Sequence, residues 1–352
     1  MPTQTPEQIT QISNDLLLAV GASESHAKTV SDHLTNANLA GHDSHGFIRI
    51  IQYVREINDG DINPTAEPVV LNETSTTAQL DGKSTFGQVA MTAALEIGKA
   101  KAREHGLSLV NVSNHEHTGR GGTYAEAAAK EGLASFMCSG YVGGPSLMAV
   151  APFGGTVRKL STNPLVIAFP YNDDGPVLLD FATTISAEGK LRVARAKGAT
   201  LPDYWTITAD GTPSNDPNTY YEGGSLLPIG GLHGGHKGYA LSFMVALFGA
   251  VLAAVATPDM QNARASSDTM LYGSTLILID LQRFGSLDLI KAHVEGIVSY
   301  MKDTPLREDF TEVLYPGEYE KRNRRQRRAD GLYIEDATWD GVQELMAQYG
   351  VE

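Results

Sequence analysis

The chain has 352 residues, 42% of them hydrophobic, enough to bury a sizeable core in more than one structural lobe. Its formal charge of -14 opposes a polyanionic partner, so no nucleic acid is expected. A single cysteine, Cys138, rules out an intrachain disulfide and a Cys-rich zinc site, and the first residues lack the basic and apolar regions of a signal peptide, so the cytoplasm is the expected compartment.

Thr5, Pro6 and Gln8 have the spacing of a helix start, with Ile9, Ile12, Leu16 and Leu17 following at helical intervals. A second helix is predicted from about Ser23 to near Gly41, and a third from Ser44 through "SHGFIRIIQYV". From about residue 76 the texture changes. "TAQLDGKSTFG" reads as strand and turn, "VAMTAALEIGKAKAREHG" as a helix closing on Gly106, and "LSLVNV" as a buried strand before the short helix "GGTYAEAAAKEG". Further strands are predicted at "LASFMC", "PLVIAFP", "PVLLDFA" and "TLILIDL". The apolar run "ALSFMVALFGAVLAAVA", residues 240–256, falls short of the ~20 residues a membrane span needs, so a buried core helix and no membrane are expected. The last part returns to helix. Its basic run "KRNRRQRR", Lys321 to Arg328, reads as a solvated helix face, since Glu318 and Glu320 stand four residues before Arg322 and Arg324. The plan that emerges is a sheet-containing middle flanked by helical ends that pack together.

Three clusters carry chemistry. On a helix starting at Ser44, His45, Arg49 and Tyr53 share one face: a guanidinium to grip a carboxylate, an imidazole to carry a proton, a phenol to bond a neighbouring oxygen. The alternative is a charged stripe facing water. "SNHEHTGRGGTYAE" follows a predicted strand, where His115 and His117 of an extended segment would face one way and Glu116 the other. A zinc site from His115, His117 and His42 or His45 is the competing reading, without any H-E-x-x-H spacing to support it. In "GGLHGGHKGYALSF" glycines precede a long helix with Lys237 near its start, a place suited to a phosphate. No G-x-G-x-x-G follows a predicted strand, so a Rossmann cofactor site is not expected.

Taken in order, "DSHGFIRIIQY", "HTGRGGTYAE", "APFGG", "STNPLVIAFP", "LLDFATTISAEGK", "LPDYWTITADGTPSNDP", "LLPIGG", "GGHKGYAL" and "YPGEYEKRNRRQRR" resemble the type-2 malate/L-lactate dehydrogenases, over nearly the whole chain. The resemblance implies an α+β, non-Rossmann dinucleotide fold with a large mixed, mostly antiparallel sheet, a helical domain formed by both chain ends and a homodimer. It divides the chain into a helical domain (1–75 and 285–352), a cofactor-binding sheet domain (76–225 and 270–284) and a small helical insertion (226–269). It implies His45 and His117 as the catalytic acid/base candidates, and Ser44, Arg49, Tyr53 and Arg120 as substrate contacts. For a NAD or NADP cofactor it points to Thr162, Asn163 and Pro164; to Asp180, Phe181 and Ala182; to Lys237 and Gly238; and to Pro316, Gly317 and Glu318. Ser161, Thr184 and His236 depart from the residues common at their positions, and residues 254–268 match no motif of the family.

The expected activity is hydride transfer between NAD(P)H and a small 2-oxo/2-hydroxy acid, without a metal. Reduction of a cyclic imine acid on the same scaffold is the nearest alternative. A metal-dependent hydrolase or lyase using His42, His45, His115 and His117 is the alternative from another class.

Overall fold

Thr5 caps the first helix as its spacing predicts: its hydroxyl accepts from the Gln8 N–H and the Gln8 side chain accepts from the Thr5 N–H, which satisfies two otherwise orphaned donors. In the computed structural model, which describes residues 2–144, 148–202, 204–257 and 260–352, this helix is α1, Pro6–Ala19. Residues 145–147, 203 and 258–259, which belong to a glycine-rich turn, to "LPDYW" and to the stretch without a family match, lie outside the described residues. Ser23 caps α2 (Glu24–Leu39), and α3 spans Arg49–Asp59. These helices bury Ile9, Leu16, Leu34, Phe47 and Ile50 together with Val342 of α12 (Asp336–Tyr349). Each such side chain contributes ~1.5–3 kcal/mol on leaving water, so the two chain ends are held as one helical body. Strand β1 (Thr3–Gln4) seals it by pairing antiparallel with β12 (Leu332–Tyr333).

The middle of the chain forms a seven-stranded sheet. In chain order its strands are β2 (Val69–Glu73), β3 (Thr77–Thr85), β4 (Leu107–His115), β5 (Leu133–Gly143), β6 (Pro164–Asn172), β7 (Gly175–Ala182) and β11 (Met270–Asp280). Their spatial order is β2-β3-β4-β11-β5-β6-β7, and every pairing is antiparallel except β3 with β4. That parallel pair needs a crossover, supplied by α4 (Gly87–His105), which ends on Gly106 in the left-handed conformation as predicted. Helix α5 (Gly122–Lys130) packs beside it over β5, β6 and β7, burying Tyr124, Ala125 and Ala128. Strand β2 is exposed along its whole length, so no burial alternation marks it in the sequence.

After β7 the chain makes α6 (Glu188–Ala196), α7 (Asn218–Tyr221) and a small sheet of β8 (Thr206–Ile207), β9 (Pro213–Ser214) and β10 (Ser225–Leu226), gathered around Val150, Leu160, Leu191 and Leu226. Helix α8 (Gly231–Ala246) continues through the wider turn Leu247–Val251 into α9 (Leu252–Ala256). These residues, expected in a separate helical insertion, lie directly on the large sheet. A side chain on Gly249 would overlap the backbones of Gly140 and Gly273, so the glycines are what let helix and strands approach. The expectation of a buried core helix is met on one face only. Val245, Ala246, Ala250 and Ala253 are buried, while Phe243, Met244, Phe248 and Val255 stand exposed. The chain closes with α10 (Leu287–Lys302) and α11 (Glu318–Asp330), which precede β12 and α12.

Candidate active site

The segment predicted as one helix from Ser44 is broken. Asp43–His45 form a 3-10 turn, Gly46 leaves helical geometry (φ -95, ψ -147), and α3 starts only at Arg49. The cause is Asn38 near the end of α2. Its side-chain oxygen accepts the Phe47 N–H at 2.7 Å, its amide donates to Asp43 at 2.6 Å, and a Cβ at position 46 would overlap it. Arg49 and Tyr53 therefore share a helix face, and His45 arrives from the turn before it. The fold still brings His45 to His117, their ring centroids 5.3 Å apart and their planes tilted by 31°.

His117 follows the end of β4. Its Nδ1 lies 2.8 Å from the Tyr53 hydroxyl, to which the Gln88 amide donates at 2.6 Å. Tyr53 is 1% exposed, so this phenol stands behind His117 and not, as expected, in contact with substrate. Ser44 Oγ lies 2.9 Å from His45 Nδ1. Arg49 donates through Nε to the Ser44 carbonyl (2.6 Å) and through one terminal nitrogen to Gln52 (2.5 Å), which donates in turn to Glu56 (2.7 Å). Burial, then the Arg49 charge, pushes His45 down to about 3 and His117 well below the usual imidazole range. Both rings are thus neutral near pH 7.

His115 does not share this site. It ends β4, bonds through Nδ1 with the Glu116 carbonyl at 2.8 Å and sets its ring edge-on to Tyr272, so the expected common orientation of the two histidines fails where the strand stops. His42 turns instead to Glu320, at 3.3 Å. The four histidines of the metal reading thus point to different partners, and among the described residues no three His, Cys, Asp or Glu side chains are grouped to hold a metal ion.

Arg120, expected at a substrate anion, is fully buried in a charge network. It donates to Glu126 at 2.9 Å and lies 3.7 Å from Asp180; its backbone N–H donates to His33, and Glu126 also receives Arg324 at 2.6 Å. A cation this buried needs carboxylates beside it, and both are supplied from within the chain. Gln88, His33 and Asn38 were not singled out from sequence, because single buried polar residues inside helices leave no periodic or spacing signal.

The residues expected at a cofactor lie at one end of β6 and β7. Pro164 pairs with Ala182 and Leu165 with Phe181, so T-N-P and D-F-A are side by side. Asn163 is buried with a left-handed backbone (φ 38); its side chain accepts the Tyr141 N–H at 2.9 Å, and its carbonyl accepts the Thr183 hydroxyl at 2.9 Å. The Ile229 N–H donates to the Thr183 carbonyl, and Gly238 lies against the Ile229 backbone, which brings the start of α8 to the same place. Lys237 is exposed one turn and a half into α8, past its free N–H groups. Asp180 accepts the Gly122 N–H at 2.8 Å. The Pro316 carbonyl accepts from Leu178 of β7, Gly317 packs on that residue, and Glu318 is held by Lys302 (2.6 Å) and Arg322 (2.7 Å). A carboxylate for ribose hydroxyls, an unpaired ammonium for phosphate and a glycine-lined approach fit a dinucleotide by donor chemistry.

The sequence profile of the malate/L-lactate dehydrogenase family matches residues 5–343. The chain belongs to that family. It is 37% identical over 334 residues to hydroxycarboxylate dehydrogenase B of Escherichia coli (strain K12), covering 94% of this chain and 90% of that one. Its structure superposes on the malate dehydrogenase of Entamoeba histolytica with a TM-score of 0.90 at 30% identity, covering 100% of this chain and 99% of the other. It also superposes on the delta1-piperideine-2-carboxylate reductase of Pseudomonas syringae pvar. tomato, with a TM-score of 0.80 at 26% identity, covering 98% and 100%. As a malate/L-lactate dehydrogenase family member the chain is an oxidoreductase on CH–OH donors, passing a hydride between a nicotinamide cofactor and a small 2-hydroxy or 2-oxo acid.

Proposed function

We propose that the pair of His45 and His117 is the proton-transfer centre, with Arg49 as the clamp for the substrate carboxylate and Ser44 beside it. The observation that carries this reading is the 5.3 Å approach of the two imidazoles next to a guanidinium. The nicotinamide, held by residues 162–164, 180–182, Lys237, Gly238 and 316–318, supplies the hydride to the 2-carbon in reduction. Arg49 orients the carboxylate, and one imidazolium gives its proton to the carbonyl oxygen; in oxidation the same ring takes the hydroxyl proton back. Arg49 also links binding to protonation. Its charge helps hold both rings neutral, so a carboxylate arriving beside it offsets that charge and makes a ring easier to protonate.

In this reading either NAD or NADP serves, the protein works in the cytoplasm without membrane or nucleic acid, and two copies associate through the apolar faces of α8, α9 and α10. Its lobes follow the helical ends, the sheet and the segment between β7 and β11. A screen at 340 nm with NADH and NADPH against pyruvate, oxaloacetate and phenylpyruvate, run beside His45→Ala and Arg49→Gln, tests it. Oxidation of one cofactor that both variants abolish is expected; no turnover with any pair would sink it. The likeness to a piperideine-2-carboxylate reductase favours a second substrate class, cyclic imine acids, which the same screen includes.

A further inference from the structure

The basic run of the sequence is not a solvated face. Four side chains of α11 at helical spacing, Glu320, Asn323, Arg324 and Arg327, all reach the stretch from Asn36 to Asp43, immediately before His45. Glu320 meets His42, Asn323 donates to the Ala40 carbonyl, Arg324 to Asn36, and Arg327 grips both carboxylate oxygens of Asp43 (2.5 and 2.9 Å) and the Asn38 carbonyl (2.5 Å). The helical pair expected between Glu320 and Arg324 is absent because each has a long-range partner.

The turn these contacts hold has little else to fix it. None of residues 42–45 is buried, and Gly46 adds a flexible joint, so core packing does not set where His45 stands. The other side of α11 is tied to the sheet. Lys321 donates to the Gly175 carbonyl (3.0 Å) and the Tyr315 hydroxyl (2.8 Å), and Arg325 pairs with Asp174 at the turn between β6 and β7. Helix α11 thus relates the position of the His45 turn to the sheet whose strand β4 leads to His117.

We propose that α11 is a positioning strap for the active site, in which the bidentate Arg327–Asp43 pair keeps His45 opposite His117. Single exposed ion pairs contribute ~0–1 kcal/mol to stability, so this pair acts on geometry more than on folding. Misplacing a reacting group by about 1 Å costs on the order of 100-fold in rate. The inference rests on the proton-transfer role given to His45 above.

The test compares Arg327→Gln, Asp43→Asn and Arg327→Lys with Arg325→Gln, whose partner Asp174 lies on the far side of the helix. The expected result is a fall in kcat of about 10–100-fold in the first two, with melting temperature and cofactor Kd unchanged. Arg327→Lys should recover part of it, since the charge stays and the fork is lost. Arg325→Gln should stay within about twofold of the parent. Unaltered kcat in both Arg327→Gln and Asp43→Asn, or a loss that tracks unfolding without recovery by lysine, would overturn the strap. A second readout does not need turnover: modification of His45 by diethyl pyrocarbonate, followed by peptide mass spectrometry, should speed up in Arg327→Gln while His117 is unaffected. An unchanged rate at His45 refutes the strap. A changed rate in a protein that reduces no 2-oxo acid keeps the strap and refutes the role of His45 instead.

Discussion

The Tyr53 hydroxyl stands 2.8 Å from His117 Nδ1 and receives the Gln88 amide from its other side, so a buried phenol fixes the ring that faces His45. With Gln88 donating, the phenol proton is directed to Nδ1, and burial raises the Tyr53 pKa, keeping the hydroxyl protonated. Tyr53→Phe removes this support and leaves the buried Gln88 amide without its partner, a cost of ~1–3 kcal/mol in stability. The expected kinetic outcome is a drop in kcat of about tenfold or more with little change in KM, read from steady-state rates beside a thermal melt. Unaltered kcat would show that the ring needs no such support.

Arg49 makes a different prediction, because its fork is partly held by the Ser44 carbonyl and Gln52 and so is oriented before substrate arrives. Arg49→Lys keeps the charge but loses the planar fork. KM for the acid should rise about 10–100-fold in both Arg49→Lys and Arg49→Gln, while cofactor Kd, measured by fluorescence titration, stays at the parent value. A cofactor Kd that moves together with KM would place Arg49 elsewhere in the cleft.

Stability should follow pH in two opposed ways. Burial, then Arg120, holds His33 down to about 3 from 6.5, so the unfolded chain binds the extra proton between these values and stability falls as pH drops below about 6.5. Burial, with Glu56 and Asp61 adding to it, lifts Glu116 to about 7 from 4.5; here the native state binds the extra proton, and stability falls as pH rises through that window. Urea denaturation from pH 4 to pH 8 should show His33→Gln flattening the acid limb and Glu116→Gln flattening the neutral one. If the Glu116→Gln curve runs parallel to the parent above pH 5, the carboxyl is not held as described.

The exposed side of α8 and α9 is the expected contact between copies. Phe243, Met244, Phe248 and Val255 form a contiguous apolar surface, which soluble proteins seldom leave open. Met244→Asp with Phe248→Asp should give a monomer by sedimentation velocity where the parent gives a dimer. A parent that sediments as a monomer would remove the interface from the reading.

Much of the fold was legible because it obeys simple periodicities. The Thr5 cap, the Gly106 stop and five of the seven strands of the sheet follow from spacing and flanking turns. Strand β2 escaped because both its faces are exposed, and the strands of the small sheet because two residues carry no period. At the site, His45, Arg49 and His117 were found by type and motif. The helix assumed to align His45 with Arg49 does not exist, since Asn38 ends one helix and starts the next through contacts that no local pattern encodes. Arg120 and Tyr53 were given substrate roles from motif position alone; only the fold could show that one is enclosed by carboxylates and the other by helices.

The pairing of β1 with β12 joins residues more than three hundred positions apart, at Thr3 with Tyr333 and Gln4 with Leu332. On a ribosome, the histidine turn is therefore made early and waits for nearly the whole message before the helix and strand that enclose it emerge. Long-range closure of this kind is slow to form, and an interrupted chain would carry the reactive residues without the body that holds them. A malate/L-lactate dehydrogenase built this way becomes competent only when its translation is all but finished.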